Sequence, residues 1–366
     1  MKHTFRNKRI ASIVTIMPPK EVFFKDEMQN FSFTESQNLR LARVMGFNKR
    51  RICQPGDTIS DYATCGIREL LSKGALDVKD VGAIVVVTTT PDHFIPAISN
   101  IVQGQFDFST DTICMDISQG CSGYVVGLQQ AFMLLDIMEN DKKVLLITGD
   151  FLSQRVAVRD RGSRPITGDA VSVSVIENGG KSNVYLYIKN DGANCFAVYI
   201  PAGGNRMPSA PETAIEEIDM YGNYRSKNQL VMNGDLVFNF IINEVPSMME
   251  DLLQYAEISK DEIEYFMCHQ SSKFTLQKLA DRLEISQKRL PYNVIENFGN
   301  SSSASIPVAI TFNLSDLLTD GQTHKIMITG FGIGLTWGSI ILDMGDMKFC
   351  EMINYGGYKI EIPVIE

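Results

Sequence analysis

Apolar residues recur along this chain in two rhythms. Near the start, Ile10, Ser12, Val14 and Ile16 fall on one side of a period-two pattern, which predicts a first buried strand through residues 10–17. GAIVVVTTT (82–90) and KVLLITGD (143–150) are continuous β-branched or aliphatic runs, as expected of strands covered on both faces. AVSVSVIE (170–177) alternates and predicts a half-buried strand. Between them, GYVVGLQQAFMLLDIM (123–138) is apolar on most faces and predicts a buried helix.

The second half repeats this order. EIEYFMCHQ (262–270) predicts a strand running into a loop. SASIPVAITFNLSDLL (303–318) predicts a helix with Pro307 in its first turns, where proline is tolerated. HKIMITGFG (324–332) and GSIILDM (338–344) predict two more strands. KVLLITG and KIMITG share their order of lysine, apolar run and Ile-Thr-Gly, and each follows a helix opened by a small-residue turn, QGCSG or GNSSSAS. The pattern is that of an internal duplication in which Cys121 and Asn300 occupy equivalent places. We place the boundary near ENGGKSN (177–183), giving halves 1–180 and 181–366. The stretch 202–230, rich in glycine, proline, asparagine and charge, predicts a long surface loop.

Composition narrows the function. A net charge of -9 over 366 residues argues against a nucleic-acid carrier. Seven cysteines without a CxxC pair argue against a disulfide framework or a zinc ribbon and suit a reducing compartment. The apolar runs are too short to span a membrane, so a cytoplasmic protein is expected.

Chemistry has few candidates. Cys121 lies between Gly120 and Gly123 at the mouth of a predicted helix, where the helix dipole and free N–H groups would lower its pKa. The other reading is a buried inert thiol, which is the reading for the remaining six cysteines. Of the four histidines, His269 ends a strand and leads into a helix, a position from which it could face a cleft; otherwise it is a core histidine with a backbone partner. Asn300 precedes a helix and reads as an N-cap, unless its equivalence to Cys121 gives it a second role. GFGIGLTWG (330–338) lacks dinucleotide-fingerprint spacing and reads either as a tight turn or as a loop presenting backbone N–H groups.

Together, GDTISDYA, VVVTTTPD, DISQGCSGYVVGL, DRGSRPITGDA, HQSSKF, NFGNSSSASIP and GFGIGLTWG resemble the β-ketoacyl-acyl-carrier-protein synthase III group of thiolase-like condensing enzymes. The resemblance extends over nearly the whole chain. It implies an α/β, thiolase-like duplicated αβαβα five-layer fold, a homodimer, and a Cys121–His269–Asn300 triad. It also implies an oxyanion hole from the backbone N–H groups of Cys121 and Ile333. Cys121 would take an acyl group from an acyl-CoA or acyl-carrier thioester bearing phosphopantetheine, then pass it to malonyl-carrier with loss of carbon dioxide. No metal or redox cofactor is implied. Arg161 keeps a substrate-binding position, and Ile95 corresponds to a contact with the partner's acyl tunnel.

Departures stand at Ser272 (usually the asparagine of HQAN, on the pantetheine arm), Phe274 (usually an arginine against the CoA nucleotide), Ala170 and Ile333 (usually glycines). They point to a specialised member. An acidic acyl carrier protein needs a basic patch, for which Lys273, Lys278 and Arg282 are one candidate and Arg155, Arg159, Arg161 and Arg164 another. The other readings are an acyltransferase passing the group to an alcohol or amine, and a non-catalytic subunit of a heterodimeric condensing enzyme.

Overall fold

The computed structural model describes residues 1–361. Its principal strands are β1 (Lys2–Phe5), β2 (Lys8–Met17), β3 (Val81–Val87), β4 (Ile113–Ile117), β5 (Lys143–Asp150), β6 (Ala170–Asn178), β7 (Val184–Asn190), β8 (Tyr265–Cys268), β9 (Thr323–Gly332), β10 (Thr336–Gly345) and β11 (Phe349–Asn354). Its principal helices are α1 (Ile59–Ser72), α2 (Gly123–Leu135), α3 (Gly234–Ala256), α4 (Lys273–Arg282) and α5 (Ser305–Leu318).

The strands form two sheets, ordered β11-β2-β6-β5-β3-β4 and β1-β7-β10-β9-β8. Within them β2-β6-β5-β3 and β7-β10-β9-β8 share one order and one sequence of directions: antiparallel, antiparallel, parallel. The duplicated pattern in the sequence is thus a duplicated sheet.

Side-chain alternation explains the layers. Along β3, Ala83, Val85 and Val87 face a central core that also holds Leu128 and Phe132 of α2 and Val308 and Ile310 of α5. Ile84 and Val86 face the opposite way, onto Tyr62, Ile67 and Leu70 of α1. On the second sheet Ile326 and Ile328 join the central core, while Met327 packs outward with Val245 and Leu252 of α3. The result is the expected α-β-α-β-α stack, with α2 and α5 sandwiched between sheets and therefore apolar all round.

Two strands cross between the halves of the sequence. β1 pairs antiparallel with β7 in the second sheet, and β11 pairs parallel with β2 in the first. The 202–230 stretch is largely irregular, broken by a 3₁₀ turn at Pro211–Ala214 and by the short pairing of Glu217–Ile218 with Tyr224–Arg225. Two predicted ends shift. The strand begun at 82–90 stops at Val87, because Thr88 and Thr89 turn to donate to Asp150 Oδ1. The helix drawn from 303 begins at Ser305, after a 3₁₀ turn at Ser302–Ala304. Among the described residues, no helix is long and apolar enough to cross a membrane.

Candidate active site

Cys121 sits between β4 and α2 in a tight turn closed by Gly123 N–H donating to Gly120 O at 2.6 Å. Close approach demands glycine at 123 and leaves little room at 120. A Cβ at Gly123 would lie 2.9 Å from Val87 and Ser303 side chains, and one at Gly120 would lie 2.8 Å from Ile333 Cδ1. Gln119 ties this turn to the second half, its amide donating to Ile333 O and Ser122 Oγ, each at 2.8 Å.

His269 follows β8, its backbone N–H held by Thr329 O at 2.8 Å. Its ring stands edge-on to Phe331, with centroids 5.4 Å apart. Nδ1 lies 2.6 Å from Ser305 Oγ, and Nε2 lies 3.5 Å from Asn300 Nδ2. Asn300 is fixed on both sides by backbone: its N–H donates to Ile166 O at 2.7 Å and its carbonyl accepts from Gly168 N–H at 2.9 Å. Such closeness needs glycine on both segments: a Cβ at Gly168 would fall 2.1 Å from Phe298 O, and one at Gly299 would fall 2.9 Å from Gly168 N. The side-chain carbonyl of Asn300 accepts from Ser302 N–H at 2.8 Å. That bond does part of a cap's work and leaves the amino end directed at His269.

Cys121, His269 and Asn300 therefore line one cavity of about 210 Å³. Most of its remaining wall is apolar, including Leu152, Val198, Leu230 and Ile333. Phe274 lines it too, stacked on Phe238 with centroids 5.5 Å apart. Among the described residues no cluster of histidine, cysteine, aspartate and glutamate is arranged to hold a metal ion.

The electrostatics correct one expectation. Burial pushes the Cys121 thiol up to about 11, not down. A side-chain hydrogen bond to Ser302, whose Oγ is 3.9 Å from the sulfur, opposes this, as do the backbone groups of Ile333 and Cys121. The buried charge of Asp150 adds to the rise. Desolvation outweighs these hydrogen bonds, although the residue as a whole is only partly buried where it lines the cavity. Burial likewise pushes His269 down to about 3, against a smaller opposing effect of the Ser302 backbone, so the imidazole is neutral near pH 7.

Other candidates are placed differently from the sequence reading. Ser272 lines the cavity, but its hydroxyl caps α4, accepting from Thr275 N–H at 3.1 Å. Ser271, which no sequence motif marks, lines the cavity as well, and its buried hydroxyl has no hydrogen-bond partner. Arg161 is not in the wall. It donates to Ser32 Oγ at 3.0 Å and Tyr221 O at 2.6 Å and stacks on Phe33, which bolts down the 202–230 stretch. Arg159 pairs with Glu216 and Arg164 with Glu27 and Ser153 O, so three of the four arginines in that cluster are internal ties. Lys273 pairs with Glu296 at 3.4 Å and Lys278 with Asp281 at 3.3 Å, while Arg282 is exposed. Ile95 stands away from this chain's cavity, 86% exposed beside Phe94 at 91%.

Comparison with known proteins gives a consistent result. The family model for 3-oxoacyl-[acyl-carrier-protein] synthase III matches residues 115–192, and that for its C-terminal region matches 253–344. A β-ketoacyl-[acyl-carrier-protein] synthase III of Streptococcus gordonii is 30% identical over 327 residues, covering 88% of this chain and 95% of the relative. One from Clostridium beijerinckii is 29% identical over 92% of this chain and 99% of its own. The crystal structure of a 3-oxoacyl-(acyl-carrier protein) synthase from Burkholderia xenovorans superposes with a TM-score of 0.88 at 28% identity, covering 97% and 99%.

Proposed function

The chain belongs to the 3-oxoacyl-[acyl-carrier-protein] synthase III family, a family of condensing acyltransferases, and from that premise we propose that it joins an acyl thioester to a malonyl thioester by decarboxylative Claisen condensation. One observation carries the reading: the amide nitrogen of Asn300 and Nε2 of His269 stand 3.5 Å apart in the cavity that holds Cys121. Two nitrogens so placed suit a shared oxygen acceptor better than they suit each other.

In this scheme the Cys121 proton passes by way of solvent to the sulfur of the departing donor thiol, and the Cys121 sulfur bonds to the acyl carbonyl carbon. The tetrahedral oxyanion lies against the N–H groups of Cys121 and Ile333, then collapses and expels the donor thiol, which takes up a proton. The malonyl thioester next loses carbon dioxide, and the bonding pair passes onto the thioester as an enolate. His269 Nε2–H and the Asn300 amide N–H hold the enolate oxygen. Its carbon attacks the acyl-cysteine, and the Cys121 thiolate leaves and is reprotonated. The neutrality of His269 favours donation to an oxyanion without a competing acid.

The apolar wall suits an acyl chain, and the unpartnered Ser271 hydroxyl suits a polar group of the phosphopantetheine arm. No metal or redox cofactor enters the scheme. An acyl carrier protein is the proposed partner, with the exposed Arg282 as one cation for it. A second copy is proposed to cover Phe94 and Ile95. We keep the division into a nucleophile half, 1–180, and a His–Asn half, 181–366, of which 362–366 lie outside the described residues.

The test is release of labelled carbon dioxide from carboxyl-labelled malonyl carrier protein by the acylated enzyme. Acylated enzyme that releases none, yet passes its acyl group to an alcohol or amine, would turn the reading to simple acyl transfer. Intact-protein mass spectrometry should show an acyl adduct that is absent in Cys121→Ala.

A further inference from the structure

Ser305, the first residue of α5, is fully buried, and its hydroxyl has two partners. One is the backbone N–H of Gln270 at 3.4 Å, which can only donate, so the hydroxyl oxygen accepts there. The other is His269 Nδ1 at 2.6 Å. If Nδ1 carried a proton, it too would donate to Ser305. The hydroxyl proton would then be buried with neither partner able to accept it. If Nδ1 is bare, the Ser305 hydroxyl donates to it and accepts from Gln270, and both of its contacts are satisfied.

We propose that Ser305 is a positioning residue which donates its hydroxyl proton to Nδ1 and so fixes His269 as the Nε2–H tautomer. The inference rests on the condensation reading for its consequence but not for its geometry. With a neutral imidazole only one nitrogen bears hydrogen, and the choice decides what faces the substrate. In the Nε2–H tautomer His269 and Asn300 both present N–H. In the other tautomer the ring proton lies on Nδ1, facing Ser305, Nε2 is an acceptor, and Asn300 alone presents N–H to an oxyanion. A serine hydroxyl five residues after Asn300, on the same turn-and-helix unit, thereby couples the two donors.

The experiment uses the full chain with ¹⁵N-labelled histidine. Only four histidines contribute, and the His269 pattern is identified by its loss in His269→Asn. At pH 7 the expected pattern is Nε2–H in the unaltered protein; an Nδ1–H pattern overturns the proposal even if no variant folds. Ser305→Ala should abolish the fixed tautomer and lower condensation on the order of a hundredfold, as when one oxyanion donor is removed. Acylation of Cys121, which makes no use of Nε2 in the scheme, should fall far less. Ser305→Thr, which keeps a hydroxyl, should recover the Nε2–H pattern. An unchanged Nε2–H pattern in Ser305→Ala also overturns the proposal. Absence of carbon dioxide release by the unaltered protein would remove the condensation reading, while the tautomer would still decide the role of Ser305.

Discussion

Gly332 is pressed against Cys121: a Cβ on Gly332 would lie 2.6 Å from Cys121 Cβ and 3.0 Å from its sulfur. Gly332 also has φ of +152°, a conformation that L side chains rarely adopt. The end of β9 is thus fitted to the proposed nucleophile at the level of single atoms. Gly332→Ala should cut the rate of Cys121 acylation at least tenfold, since Cβ and sulfur must both move, and a 1 Å misplacement costs on the order of a hundredfold in well-aligned sites. Time-resolved intact mass would report it. An unchanged rate would mean that the contact yields freely.

The raised thiol pKa sets a pH dependence. A group held at about 11 is protonated at neutrality, and its thiolate fraction grows about tenfold per pH unit until the pKa is approached. Alkylation of Cys121 by iodoacetamide, read on its own peptide, should therefore climb steadily from pH 7 to pH 10. A plateau below pH 8 would show that the helix terminus outweighs burial.

Asp150 is wholly buried at the end of β5 and accepts from Thr89 N–H at 2.7 Å, Thr89 Oγ1 at 2.7 Å and Ser303 N–H at 3.0 Å. It pins the Ser301–Ser303 turn, beside Asn300, to the first sheet. Asp150→Ala strands two backbone donors and should destabilise the fold by about 2–5 kcal/mol. Chemical denaturation would measure the loss, and a shift under 1 kcal/mol would contradict this account.

Arg50 is buried and forks onto Glu27, with Nη2 to Oε2 at 2.6 Å, while Nη1 donates to Thr167 O at 3.1 Å. Thr167 bridges to Asn300. Arg50→Lys keeps the charge but cannot serve both acceptors, so a loss of about 1–3 kcal/mol is expected. Condensation should fall more than Cys121 acylation does, because the displaced backbone holds Asn300. Equal losses in both steps would place the effect elsewhere.

Much of this molecule was legible in its sequence, for physical reasons. Val81–Val87 and Lys143–Asp150 are covered on both faces, so their β-branched runs declare themselves. Cys121 is marked by flanking glycines, each closely packed. What escaped depends on neighbours far along the chain. The sign of the Cys121 shift follows from burial of its sulfur in the folded chain. Arg161 reads as a free cation until Ser32, Phe33 and Tyr221 surround it. Ser305 looks like any serine opening a helix, and only the fold brings it to Nδ1.

The exchange of β1 and β11 between sheets has a mechanical consequence. Each half holds an edge strand belonging to the other, so a chain severed near residue 180 would leave two fragments with mismatched complements. Neither could seal its sheet alone, and each would recruit the other as a template. A load applied between residues 2 and 354 would be shared by both sheets at once, like a parcel tied with crossed cords. The cavity that holds Cys121 and Asn300 draws its walls from both of the halves so tied.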